Sequence, residues 1–164
     1  MVKQAMMNEL KHEASLTKKL LERVPFDQFG WKPHERSMSL ERLTVHIAEI
    51  PRWSSRILTA TEFDFTKANY KAPEVKSTEE LVQLSEANIQ NALNDFAAVK
   101  EEDLMIPWTF RRGEHVIFTM PRVAAIRTLA MNHLLHHRGQ LSVYLRLLNI
   151  PIPGMYGPSA DERM

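Results

Sequence analysis

The sequence predicts an all-α protein, a four-helix bundle with long connections and a short β-hairpin before its last helix. Three observations carry that expectation. Apolar residues recur near the 3.6-residue period in four segments of about 20 residues or more. The stretches between them are too long for the tightest up-and-down turns. Only between Leu104 and Phe118 does the pattern change to the alternation of a strand pair. The 164 residues read as one domain, 1–164, large enough to bury roughly two thirds of the unfolded surface.

The first helix is expected from Val2 to Val24, where Met6, Leu10, Leu20 and Val24 fall near one face and Pro25 stops the run. A polar loop from Pro25 to Ser39 follows. The second helix opens at Ser39, with Leu40, Leu43, Ile47, Ile50 and Ile57 spaced by three, four and seven, and His46 on that stripe. Pro51 lies inside the pattern and deletes a hydrogen bond to the carbonyl of Ile47. The helix therefore either bends one turn after His46 or stops at Ile50 and restarts. Asp64 to Ser77 carries Lys, Asn and Pro and reads as a connection.

Thr78-Glu-Glu-Leu81 opens a third helix, with Val82, Ile89, Leu93 and Phe96 in heptad rhythm and an end near Val99. The hairpin is expected around Arg111-Arg112-Gly113-Glu114, with Trp108 and Phe110 before the turn and Val116 and Phe118 after it. Pro121 suits the first turn of the fourth helix, carried by Ile126, Leu129, His133, His137, Tyr144 and Leu148. Pro151 and Pro153 end it, and an irregular tail follows.

Composition narrows the chemistry. There is no cysteine, which removes disulfides, thiolate nucleophiles, iron–sulfur clusters and Cys-based zinc motifs. Twenty-one basic residues nearly cancel 20 acidic ones, for a net charge of +1, and they are dispersed, so neither nucleic acid nor anionic lipid is implied as a partner. The opening residues lack an apolar run of signal-peptide length, and no window approaches the roughly 20 apolar residues of a membrane span. A cytoplasmic protein without membrane partners is the expectation.

The chemically informative stretch is Asn132-His-Leu-Leu-His-His-Arg-Gly-Gln-Leu141. Residues three or four apart on a helix share a face, so His133 can pair with His136 or with His137 on one metal ion. His137 is the better partner because it continues toward Leu141 and Tyr144. A stripe facing the core should be apolar, and burying an imidazole is costly unless it is satisfied. The second helix repeats the anomaly with His46. Three imidazoles from two helices would form a facial site with positions left open for water or substrate. His12, His34 and His115 stand singly among charges or in loops and are expected to have no metal role.

Four groups stand out along the chain: Trp31-Lys-Pro33 followed by Ser39-Leu40, His46-Ile-Ala-Glu-Ile-Pro-Arg-Trp53, the histidine stretch to Leu141, and Tyr156-Gly-Pro-Ser-Ala-Asp161. With these, essentially the whole chain resembles the DinB-like family of metal-dependent proteins. The resemblance implies a bundle, often a homodimer, holding a divalent metal on one histidine of the second helix and two of the last. Here those are His46, His133 and His137. Zn, Ni, Fe, Mn and Co all suit histidine-rich open sites.

A cation on three neutral ligands keeps its charge, favours an anion in the open position and lowers the pKa of water or thiol there. The resemblance points the same way, since related bundles include transferases using low-molecular-weight thiols such as bacillithiol and isomerases dependent on mycothiol. The expected function is a metal-dependent enzyme that activates such a thiol, or water, against a small electrophilic substrate. The alternative is a non-catalytic metal-dependent ligand-binding or stress-response protein, which a fourth protein ligand would favour, Glu49 being the nearest candidate.

Gln140, Tyr144 and Trp53 are candidate pocket contacts, with Gln140 also able to orient a ligand. His136 stands behind the ligands, lines the pocket or points to the rim. Glu49 and Arg52 are expected to pair. Arg138, about 100° round the helix from a ligand, is expected at a dimer surface or in a salt bridge.

Overall fold

Helix α1 (Val2–Leu21) buries Met6, Leu10, Glu13, Thr17 and Leu20 at alternating spacings of four and three, so two polar residues stand in the middle of its core stripe. The computed structural model describes residues 1–162. α1 ends before the expected Val24, because Pro25 disfavours helical backbone in the residue ahead of it. The last turn tightens instead, with the amides of Arg23 and Val24 bonding the carbonyls of Leu20 and Leu21.

The Ser39 hydroxyl caps α2 (Leu40–Glu49) by accepting from the Arg42 amide at 3.1 Å. Of the two outcomes open at Pro51, the helix stops and restarts. Ile50 and Pro51 keep helical dihedrals, but the Trp53 and Ser54 amides bond three residues back before α3 (Arg52–Thr59) is under way. α4 (Thr78–Ala98) is capped by Ser77, whose hydroxyl accepts from the Glu80 amide.

The hairpin forms as expected from β2 (Pro107–Arg112) and β3 (His115–Pro121), with Gly113 at φ +58° in the turn and a bulge after Phe110. A third strand was not expected. β1 (Glu62–Asp64) ends where the expected connection begins and pairs parallel to β2, giving sheet order β1-β2-β3. The Asp64 carboxylate accepts from the Gly113 and Thr66 amides and from the Thr66 hydroxyl. Those bonds hold its carboxyl near 2, below the usual carboxylate range, and tie the connection to the hairpin.

The last long helix begins immediately after Pro121 and is not uniformly α-helical. α5 (Arg122–Ile126) passes into a π-helical turn (Arg127–Asn132) and then into α6 (His133–Leu147). The wider turn displaces the stripe expected from a 3.6 period. Leu134, His137, Arg138, Leu141 and Leu145 are buried, while Leu129, His133 and Tyr144 flank them half-buried. Asn149, at φ +58°, closes α6 with the paired Ile150-to-Leu145 and Asn149-to-Arg146 bonds of a Schellman cap.

α4 packs against α1, α2 and α3, and α6 packs against α1 and α2. The apolar interior divides into two clusters. One gathers Leu20, Leu40, Leu43, Ile47, Leu141 and Leu145, and the other Met6, Leu10, Phe96, Trp108 and Ile126 with the sheet. Between them runs a polar layer: Glu13 and Thr17 from α1, Asn88 from α4, and His137 and Arg138 from α6 are all buried. Asn88 is satisfied by the Ala48 carbonyl at 2.9 Å. No helix among the described residues is long and apolar enough to cross a membrane.

Candidate metal centre

His46 comes from α2, one turn ahead of the Pro51 break, and His133 and His137 from the first two turns of α6. The His133 Nε2 lies 3.3 Å from the His46 Nε2 and 2.9 Å from the His137 Nε2. All three histidines offer a ring nitrogen within 4.8 Å of the others, the one such cluster of three among the described residues. His137 is buried, and His46 and His133 are half-buried.

The far side of each α6 ring fixes what the near side presents. The His133 Nδ1 stands 3.3 Å from the Leu129 carbonyl, which only accepts, so Nδ1 carries the hydrogen. The His137 Nδ1 stands 2.7 Å from the Gln140 Oε1 and donates to it. A neutral ring that donates from Nδ1 keeps a lone pair on Nε2. Two lone pairs therefore face each other across 2.9 Å, a repulsive arrangement that a cation between them would reverse.

The two spacings to the His133 Nε2 suit such a cation. For metal–nitrogen bonds of about 2.0–2.1 Å, neighbouring donors stand about 2.9 Å apart in octahedral and about 3.3 Å apart in tetrahedral geometry. The donor set of three neutral imidazoles is one that Zn and other divalent first-row metals accept.

Burial weakens all three bases. It is the leading cause of the lowering of His46 to about 4, with the neighbouring His137 and His133 and then Arg42 adding to it. Burial also leads in holding His133 and His137 below 6.5. Because the unfolded chain binds these protons near pH 6.5 and the folded chain only at lower pH, stability rises with pH between the two values. The metal-free protein is expected to keep this contribution above about pH 6.5 and to lose it as pH falls toward about 4. Urea midpoints measured across that range check it, and a flat profile would count against it.

Gln140 is exposed, but its bond to His137 makes it the residue that orients that ring. Gln140→Leu is expected to weaken divalent-metal binding by about 10- to 100-fold without changing the stoichiometry. Competition against a chromogenic chelator would measure this. Tyr144 lies away from the cleft, edge-on to Trp31 at 5.6 Å and donating to the Met38 carbonyl. His136 is exposed and does not line the cleft. The expected pair of Glu49 and Arg52 forms at 2.6 Å, and Tyr70 donates to the other Glu49 oxygen. Glu49 is thereby committed outside the triad. Arg138 takes the salt-bridge option, buried against Glu13 at 2.5 Å.

A cleft of about 470 Å³ opens beside His46 and His133, within the range that holds small organic ligands. Trp53 lines it, as the sequence suggested. So do Arg42, Arg56, Phe63, Phe65 and Tyr70, which the sequence reading missed. Glu49, Trp53 and Arg56 at spacings of four and three gave a usable helix-face signal. Nothing local announced that Phe63, Phe65 and Tyr70 would meet them.

Fold and site together define a four-helix bundle with a histidine triad between its second and last long helices and a cleft beside it. The DinB family model matches residues 1–163, and the chain belongs to the DinB family. The chain is 27% identical over 134 residues to the uncharacterized protein YjoA of Bacillus subtilis (strain 168), covering 80% of this chain and 81% of that protein. The crystal structure of that DinB-like protein superposes with a TM-score of 0.69 at 23% identity, covering 90% of this chain and 96% of the other. A DinB-like protein from Bacillus cereus ATCC 10987 gives a TM-score of 0.65 at 21% identity, covering 89% and 92%. At these identities the solved structures establish the fold.

Proposed function

We propose that the protein is a metal-dependent enzyme in which His46, His133 and His137 hold one divalent cation and the adjacent cleft holds a small electrophile. A low-molecular-weight thiol, or water, is the attacking group. The carrying observation is the convergence of the Nε2 atoms of His133, His46 and His137 beside a cleft that His46 and His133 line. Glu49, the carboxylate that could have closed the site as a fourth ligand, is held by Arg52 and Tyr70 instead. That favours an open, catalytic arrangement over a closed structural one.

When bound, a divalent cation supplies positive charge that lowers the pKa of a thiol or water beside it and polarises an electrophile. The protein's own groups do the rest. The Leu129 carbonyl and Gln140 keep the His133 and His137 rings in the tautomer that aims a lone pair inward. Ile50, Leu129 and Trp53 give the cleft apolar wall beside the His46 and His133 rings that also line it. Glu49 fixes the Tyr70 hydroxyl at the cleft edge by accepting its hydrogen.

The test is metal analysis of untagged protein purified without chelating resin, followed by thiol conjugation of a chromogenic electrophile by metal-loaded and chelator-treated protein. One equivalent of metal and a rate that depends on it support the reading. Metal-loaded protein that conjugates no faster than chelator-treated protein, with thiols and with water alike, would remove it.

A further inference from the structure

Three arginines, Arg42, Arg52 and Arg56, line the cleft against a single carboxylate, Glu49. Glu49 pairs with Arg52 at 2.6 Å and accepts from Tyr70, so its oxygens are used. Arg56 is in no ion pair or side-chain hydrogen bond among the described residues, although it is only half-exposed. Its guanidinium instead lies 5.0 Å from the Trp53 ring centroid and 4.9 Å from that of Phe63. Aromatic faces hold a cation in place but leave its N–H edges unbonded. Burial accordingly lowers the Arg56 pKa from its ordinary value.

The walls beside Arg56 are flat and apolar. Trp53 meets Phe63 and Phe110 edge-on at 5.1 and 5.7 Å, and Phe65 meets Phe110 at 4.8 Å. These rings come from α3, β1, the turn after β1, and β2. Phe65 remains 47% exposed, so the box presents aromatic surface to whatever enters. An unpaired, stacked guanidinium beside such a box matches a ligand with a planar apolar body and a carboxylate or similar anionic group, since a planar oxyanion takes two parallel N–H bonds from arginine.

We propose that Arg56 is the anion-anchoring residue of the cleft, and that the substrate is a small organic anion whose aromatic body lies among Trp53, Phe63 and Phe65. The proposal rests on reading this cleft as the substrate site and adds the substrate class to it. It does not require the cation, because the anchoring group belongs to the chain.

The probe is 2-naphthoate, compared with the neutral 2-naphthamide and with hexanoate, an anion lacking the ring. Titration calorimetry is run on chelator-treated and metal-loaded protein, for wild type, Arg56→Gln and Arg56→Lys. Naphthoate is expected to bind both forms of wild type more tightly than either comparison ligand. Arg56→Gln is expected to weaken naphthoate by at least about tenfold while leaving naphthamide unchanged, and Arg56→Lys to recover part of the loss. Equal affinities for acid and amide, binding indifferent to Arg56→Gln, or no naphthoate binding at all would overturn the proposal. Absence of metal binding would defeat the metal-enzyme reading alone, because the chelator-treated titration still decides the role of Arg56.

Discussion

His133→Leu is expected to reduce divalent-metal binding by at least about a hundredfold, a larger loss than removal of a group that merely orients a ligand. His133 is the midpoint of the triad, with its Nε2 2.9 Å from that of His137 and 3.3 Å from that of His46. The effect on the metal-free protein should have the opposite sign. Leucine removes a half-buried lone pair held against another and places an apolar group beside Leu134, so the chelator-treated variant should unfold no earlier than chelator-treated wild type. Added metal should then raise the melting temperature of wild type alone, by the amount worth about 2.7 kcal/mol at a hundred times the dissociation constant. Mass-spectrometric metal content and thermal melts of both proteins, with and without metal, check both halves. A full equivalent of metal retained by His133→Leu would sink the triad as a metal centre.

Glu13→Ala is expected to destabilise the protein by about 3–5 kcal/mol, because it leaves the Arg138 guanidinium buried without its counter-charge. Arg138 is 3% exposed and Glu13 6%. One Arg138 nitrogen donates to the Glu13 carboxylate, the other to the Glu13 carbonyl and the Thr17 hydroxyl at 3.0 and 3.2 Å, and Tyr156 from the tail closes the group. In a chain of this size each kcal/mol shifts the melting temperature by about 2–4 °C, so the variant should melt well below wild type. Replacing both partners at once, as Glu13→Leu with Arg138→Met, should recover most of the loss, since a packed apolar pair avoids the desolvation cost. Urea denaturation of the single and double variants tests this. A single variant as stable as wild type would mean that water reaches Arg138.

Much of this architecture is local and therefore readable in the chain. Leu40, Leu43, Ile47 and Ile50 announce a helix and its inner face, Trp108 to Phe118 announce a hairpin, and the His46 and His133-to-Leu141 stretches announce the family. Less was readable where partners are distant in sequence. β1 has three residues, too few to show a period, and exists because Thr109, Phe110 and Arg111 lie alongside it. Glu13 reads as a surface acid until Arg138 arrives from 125 residues away. The continuous stripe expected on the last helix shifted because a π turn adds a residue to one turn, which no 3.6-period template registers.

By itself the sequence determined the helices, their inward faces, the hairpin, the family and the placing of three histidines on inner or near-inner positions. All of these follow from short-range periodicity, turn chemistry and contiguous motifs. Tertiary structure alone decided that the His46 ring meets the two from α6, that Glu49 is spent on Arg52 and Tyr70, and that Phe63 and Phe65 come to lie beside Arg56. The physical reason is that side-chain spacing within one helix is set by backbone geometry. Distances between elements are set by how two apolar clusters pack around a polar layer, and that packing is a property of the whole chain at once.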